Sequence, residues 1–359
     1  MRSMLRTLLF AAFGCLLSEM FAGCSGMAPA GAISAPQAPA GERRSTGLER
    51  VLLPVRLGAA PGSTLPSSGA APQTALMPPL AAAPFRGLYV SDFGVKYGQG
   101  GALLLSPRAF QPVGKLTGGM DAPDGEWIDR SGNFYVANAD GPNVTEYAPG
   151  SKHPTCTYSG ANDPTNVKTD NDGNVFVVDW NDGQSGSVDV YRQCRDSIVR
   201  TYTFGSGAPS DVAFDGAGRV MYVMYLSGPS GKGTLEMFHG NSMTPVALGA
   251  TVRFPGGLLI DKNKNLIAAD QGVQGRADGA IDVIAPPYST ASSLVTRLAQ
   301  PVWLSLNRRE TILFASSFDW NTPTVWAFDY PSGSLRETIG SANGLVVPLG
   351  VAASPDDVF

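Results

Sequence analysis

Residues 348–359 read PLGVAASPDDVF: a proline, an apolar stretch, a polar turn, and then the end of the chain. The same opening occurs five times upstream and there runs on into an apolar strand. It is PDGEWIDRSGNFYVAN from Pro123, PTNVKTDNDGNVFVVD from Pro164, PSDVAFDGAGRVMYVMY from Pro209, PGGLLIDKNKNLIAAD from Pro255 and PVWLSLNRRETILFASS from Pro301. Successive prolines stand 41, 45, 46, 46 and 47 residues apart. Each complete unit continues through a Gly/Asn/Asp loop to a third strand (NVTEYA, SVDVYR, GTLEMF, AIDVIA, TVWAFD) and a fourth (TCTYSG, VRTYTF, PVALGA, LVTRLA, LRETIG). Asp129/Gly132, Asp170/Gly173 and Asp215/Gly218 mark tight turns, where Asp bonds nearby backbone and Gly takes a positive φ. Four short strands in a period of this length predict propeller blades. No amphipathic run of a dozen residues lies past position 85, which excludes helical repeats.

The unfinished last unit has its complement at the other end. In FRGLYVSDFGVKYGQGGALLLSPRAFQPVGKLTG, residues 85–118, Leu88–Asp92 aligns with Phe134–Asn138, and GALLLSP and PVGKLTG supply the third and fourth strands. The expectation is an all-β, six-bladed propeller over 86–359. Its blades are 123–163, 164–208, 209–254, 255–300, 301–347 and a composite of 348–359 with 86–122. Such a closure removes an open sheet edge.

Hydrophobic residues make up 43% of the 359 and charged residues 16%, with a net charge of -4. The 26 Lys and Arg form no basic stripe, which argues against nucleic acid as a partner. The chain opens MRSMLRTLLFAAFGCLL, two Arg and an apolar run from Leu8 to Leu17 too short to span a bilayer permanently. Residues 1–23 read as an export signal. Residues 24–85 are rich in Ala, Pro, Gly and Ser and read as a flexible tether, because such composition buries too little apolar surface to offset its ordering entropy. Within the tether, LERVLLPVRL is more apolar, and its Pro54 argues against a helix.

Phe21-Ala22-Gly23-Cys24 resembles the lipobox of bacterial lipoproteins. That resemblance implies a diacylated Cys24 as the mature N-terminus and an exported protein held to the membrane by lipid alone, in the periplasm or on the bacterial surface. An ordinary cleaved signal and an uncleaved anchor are the alternatives. The blade phrase P…D-x-x-G-N-x-Y-V-x-N/D…V-x-x-Y resembles the NHL-repeat proteins and the related six-bladed group of gluconolactonase/regucalcin-type enzymes and streptogramin lyases. In texture the chain is also similar to bacterial envelope lipoproteins with such blades.

The lactonase resemblance implies a divalent metal, Ca²⁺ or another, at one mouth of the channel, held by Glu, Asn and Asp of inner strands. The corresponding strand openings here are Asp124-Gly125, Thr165-Asn166, Ser210-Asp211, Gly256-Gly257, Val302-Trp303 and Leu349-Gly350. Asp124, Asn166 and Asp211 carry the hard oxygens such an ion takes; the plainer reading is that they bond nearby backbone. The family's inner-strand Glu is absent, and its Pro-Asn-Gly form appears nowhere. A lyase mechanism implies His and Glu as acid and base, but the two histidines, His153 and His239, fall in a loop and at an outer strand end.

Three further sets remain. The residues ending the second strands include Asp92, Asp179 and Asp270 on alternate blades, either a cation site or the starts of the following turns. Trp180 and Trp320 share Asp-Trp-Asn in loops of opposite blades and are candidates for contact with a glycan, peptide or partner, or for packing between blades. Cys156 and Cys194 are 38 residues apart; export permits a disulfide, but outer blade edges diverge, which disfavours one. The functional expectation is a monomeric, lipid-anchored scaffold binding an envelope protein, peptide or glycan, with a gluconolactonase-type metal-dependent hydrolase as the alternative.

Overall fold

The computed structural model describes residues 85–94, 100–181, 185–227, 232–273, 276–319, 321–356 and 358–359. The signal, the tether up to residue 84 (Cys24 included) and Trp320 lie outside them. Among the described residues there are 24 strands, β1 to β24, one short 3-10 turn (Ser341–Asn343) and no helix long and apolar enough to cross a membrane.

The strands form six four-stranded antiparallel sheets. Five run in chain order: β4–β7, β8–β11, β12–β15, β16–β19 and β20–β23. The sixth has the order β24-β1-β2-β3, so the C-terminal strand β24 (Ala352–Ala353) lies beside β1 (Leu88–Asp92). Tyr89 pairs with Ala352 and Leu88 with Ala353. An isolated bridge joins Asp92 to Pro348, and the main chain adds Leu349 N–H to Ser91 O at 2.8 Å and Ser354 N–H to Gly87 O at 2.9 Å. The predicted six-bladed propeller with a composite blade is what the chain forms.

The repeating proline has a mechanical reason. It begins each of the inner strands β4 (Pro123–Ile128), β8 (Pro164–Thr169), β16 (Pro255–Ile260) and β20 (Pro301–Leu306), and is the second residue of β12 (Ala208–Phe214). A proline donates no hydrogen bond and is tolerated at a strand start. Four pair with the residue ending strand two, Asn138, Asp179, Asp270 and Ser317, and Pro209 pairs with Tyr225, two residues before the end of β13 (Val220–Ser227). The ladder then slips by a bulge before regular pairing resumes.

The Asp-x-x-Gly turns form as read. Asp129 Oδ1 accepts the N–H groups of Ser131 and Asn133, and Gly132 sits at φ 84. Blades four and five keep the turn without glycine. Lys264 at φ 68 and Glu310 at φ 53 occupy its place, while Asp261 and Asn307 supply the side-chain acceptors.

The core is a ring of six large clusters, one in each seam between consecutive blades, with a small seventh around Trp180 between blades two and three. Tyr89, Leu104, Phe134 and Val136 join the composite blade to blade one, and Phe314 and Val325 meet Leu88 and Leu105 between blade five and the composite blade. Both faces of most sheets are therefore covered. The second strands β1, β5 (Phe134–Asn138), β17 (Leu266–Asp270) and β21 (Ile312–Ser317) are continuously buried rather than alternating, as for a sheet packed on two sides.

Candidate functional site

The inner strands bring Asp124, Glu126, Trp127, Asn166, Lys168, Asp211 and Trp303 into one polar cluster around the channel. Trp303 reaches from blade five past the composite blade, and its indole N–H donates to Asp124 Oδ1 at 2.7 Å. Gly350 of the C-terminal strand lies at that crossing, where a Cβ would fall 2.7 Å from Glu126 Cγ. On the other side Lys168, 4% exposed, places Nζ 3.5 Å from Asp211 Oδ2 and 4.7 Å from the centre of the Trp127 ring. The Trp127 indole donates in turn to Thr169 Oγ1 at 3.0 Å.

The three residues expected as oxygen donors are thus near one another, but Asp124 Oδ1, Asn166 Oδ1 and both oxygens of Asp211 are engaged. Asn166 Oδ1 accepts the Val167 N–H at 2.8 Å. Asp211 Oδ1 accepts the Val212 N–H at 2.8 Å, and Oδ2 accepts the Leu258 N–H of the next blade at 2.7 Å. These side chains bond the bulged backbone at the strand openings and tie neighbouring inner strands together. Burial pushes the Asp124 carboxyl up to about 7, with the Trp303 donor opposing and Asp163 reinforcing. Burial likewise pushes Asp211 up to about 6 against the pull of Lys168 and its backbone donors.

The expectation that the inner strands lack a glutamate is corrected: β4 carries Glu126, 3% exposed. Ser91 Oγ donates to its Oε2, while Oε1 has no hydrogen-bond partner. Burial pushes this carboxyl up to about 8, opposed by the Ser91 hydroxyl, the Ser91 and Ala352 main chain and Lys168. Glu126 and Lys168 escaped the sequence reading because it compared only the first two residues after each proline. The bulge hides which later positions face the channel and which face a neighbouring blade. The available signal was two charged residues in columns otherwise holding Val, Leu, Ala, Ser and Trp.

Asp92, Asp179 and Asp270 do not converge. Each holds the segment that enters its own blade. Asp92 accepts the N–H groups of Gly94, Val346 and Val347; Asp179 those of Asn162, Asp163 and Asn181; Asp270 those of Arg253, Phe254 and Gly272. Asp270 also pairs with the Arg253 guanidinium at 3.0 Å. Among the described residues, the ligand atoms of His, Cys, Asp and Glu that gather within 4.8 Å belong to Glu146, Cys156 and Cys194.

Those two cysteines are joined as a disulfide with Cα atoms 5.2 Å apart, contrary to the expectation that diverging edges keep them separate. Cys194 lies in the turn between β10 (Ser187–Arg192) and β11 (Ile198–Thr203), and that turn reaches back to Cys156 at the start of β7 (Cys156–Ser159) in the preceding blade. Gln193 Nε2 donates to Glu146 Oε1 at 2.9 Å and the Cys194 N–H to Tyr158 Oη at 3.0 Å, fixing the turn there.

Trp180, expected as a binding side chain or as packing, is 5% exposed and packs on Ala208, Leu226 and Phe254 between blades two and three. His153 and His239 are exposed and stand outside the cluster.

No protein-family model matches the chain, and no curated protein matches it. Solved structures do. A chain of a Nidogen/Laminin complex is 16% identical, with a TM-score of 0.58 over 75% of this chain and 98% of that one. A chain of Kuenenia stuttgartiensis hydrazine synthase is 13% identical at 0.53, covering 80% and 94%. A candidate 6-phosphogluconolactonase from Bacteroides fragilis is 13% identical at 0.52, covering 74% and 96%. At such identities the likeness shows the propeller fold.

Proposed function

We propose that this chain is a non-catalytic binding scaffold: a propeller that presents a face to a ligand or partner at the cell envelope, tethered through lipid on Cys24. The observation that carries this reading is the state of the channel's polar groups. Asp124 Oδ1, Asn166 Oδ1 and both oxygens of Asp211 at the strand openings already accept main-chain, indole or ammonium donors. Trp303 also reaches past the composite blade to Asp124. Such an arrangement ties blades together and leaves few donors free to polarise a substrate.

The blade ends differ in a way that suits binding. One end carries the tight Asp-x-x-Gly turns. The other carries the connections after strand two, spanning 93–100, 180–186, 271–278 and 318–324. Long connections on a rigid ring are where recognition is ordinarily carried. An envelope protein, a peptide or a glycan is the class of partner this reading expects.

Metal analysis of the purified full chain, before and after chelator treatment, tests the scaffold against the metal-dependent hydrolase alternative. The scaffold predicts no stoichiometric divalent ion and no change in stability on chelation. One tightly held ion per chain, lost in Asp211→Asn, would establish the alternative.

A further inference from the structure

In every blade the third strand sets a side chain opposite one fixed position of the second, three residues before the one that meets the repeating proline. Five blades use an apolar residue there. Leu104 faces Tyr89, Val190 faces Phe176, Met237 faces Tyr222, Val283 faces Ile267 and Ala327 faces Phe314. In blade one the residue is Glu146, opposite Tyr135 and 3% exposed. A buried carboxylate thus interrupts an apolar column, and it does so beside Cys156 and Cys194, the cysteines of the described residues.

The three side chains converge. One ligand atom from each lies within 4.8 Å of the other two, and Cys194 Sγ is 4.0 Å from Glu146 Oε2. The carboxylate is held from its far side: the Tyr158 hydroxyl donates to Oε2, and Gln193 Nε2 donates to Oε1 at 2.9 Å. Both donors are neutral, and a disulfide adds neither a proton nor a charge. Buried carboxylates are ordinarily paired with a charge or bound to a metal. Each oxygen keeps a lone pair beyond the one its donor uses. Cys194 is exposed and Cys156 half-buried, so the cluster is closed at the carboxylate and open at the sulfurs.

We propose that Cys156, Cys194 and Glu146 form a redox-gated metal site, absent while the disulfide stands and taking a thiophilic divalent cation such as Zn²⁺ once it is reduced. A dithiol reductant delivers two electrons and two protons; the S–S bond breaks, two thiols form, and the reductant leaves as its own disulfide. The Cys194 turn then lets the sulfurs separate. Zn²⁺ displaces both thiol protons and forms two Zn–S bonds, Glu146 Oε2 supplies the third ligand, and a water completes the tetrahedron on the exposed side. Tyr158 and Gln193 keep the carboxylate oriented. The ion fastens blade one to blade two where the disulfide did.

The full chain, reduced with a dithiol and freed of it without air, is titrated with Co²⁺ and then Zn²⁺, beside the oxidised chain. Thiolate-to-cobalt absorbance is expected to saturate at one ion per reduced chain and to vanish as Zn²⁺ displaces Co²⁺; the oxidised chain should show none. Zn²⁺ should raise the melting temperature of the reduced chain and leave that of the oxidised chain unchanged. Tyr158→Phe, which retains all three ligands, should weaken binding about tenfold, and Glu146→Gln should weaken it further. Absence of thiolate absorbance in the reduced wild-type chain overturns the site without recourse to any variant. Unchanged affinity in Glu146→Gln overturns it also, because the carboxylate is then not a ligand. An ion held equally by the oxidised chain overturns the gating and belongs to the inner strands.

Discussion

Asp211 shows how much a single side chain carries in this ring. One oxygen closes the bulge of its own strand, the other accepts from Leu258 of the next blade, and Lys168 supplies the charge. Removing the lysine leaves a buried carboxylate short of its counter-ion. Lys168→Met should lower unfolding stability by about 3–5 kcal/mol in urea, and the double variant with Asp211→Asn should recover part of it. If the two effects simply add, the pair is not coupled. The raised carboxyls of Asp124, Glu126 and Asp211 act together on pH dependence. Folded, each keeps its proton to higher pH than it does unfolded, so stability is greatest in acid and declines as pH rises toward about 8. A urea midpoint higher at pH 8 than at pH 5 would contradict this. At Lys264 the left-handed backbone is strained for a side chain, and Lys264→Gly should stabilise by about 0.5–1 kcal/mol in the same assay.

At the scale of the element, the aspartates ending strand two act as clasps for the segment entering each blade. Asp179→Ala leaves the N–H groups of Asn162, Asp163 and Asn181 without their acceptor and should lower stability by about 1–3 kcal/mol. A thermal melt that does not change would deny the clasp. The Cys156–Cys194 bridge is a second fastening, between blades one and two. Replacing both cysteines by serine should cost about 2–4 kcal/mol. Strands, turns and blade order were legible in the sequence because they rest on local chemistry: a proline that cannot donate, an aspartate that bonds its own turn, a glycine at positive φ. The site was legible only in part. Asp124, Asn166 and Asp211 could be placed on inner strands, but their partners could not. The Asp124–Trp303 bond spans 179 residues, and the donors of Asp211 come from two other blades. Cys194 was misjudged because it sits in a turn rather than on a strand.

For the whole molecule, stability depends on closure. Six shared cores surround the channel, and none of the blades can cover both its faces alone. The last strand is short, but serines anchor it at intervals. Ser316 donates to Leu349 O, Ser305 accepts the Ala353 N–H, and Ser354 accepts the Gly87 N–H. The terminal fragment read at the outset is therefore a working inner strand for a blade begun some 260 residues earlier. Unfolding of the chain lacking 348–359, followed by calorimetry beside the full chain, tests this most directly. Loss of the single cooperative transition, with aggregation through the exposed edge of β1, is the predicted result; a melt indistinguishable from that of the full chain would contradict ring closure by the C-terminal strand.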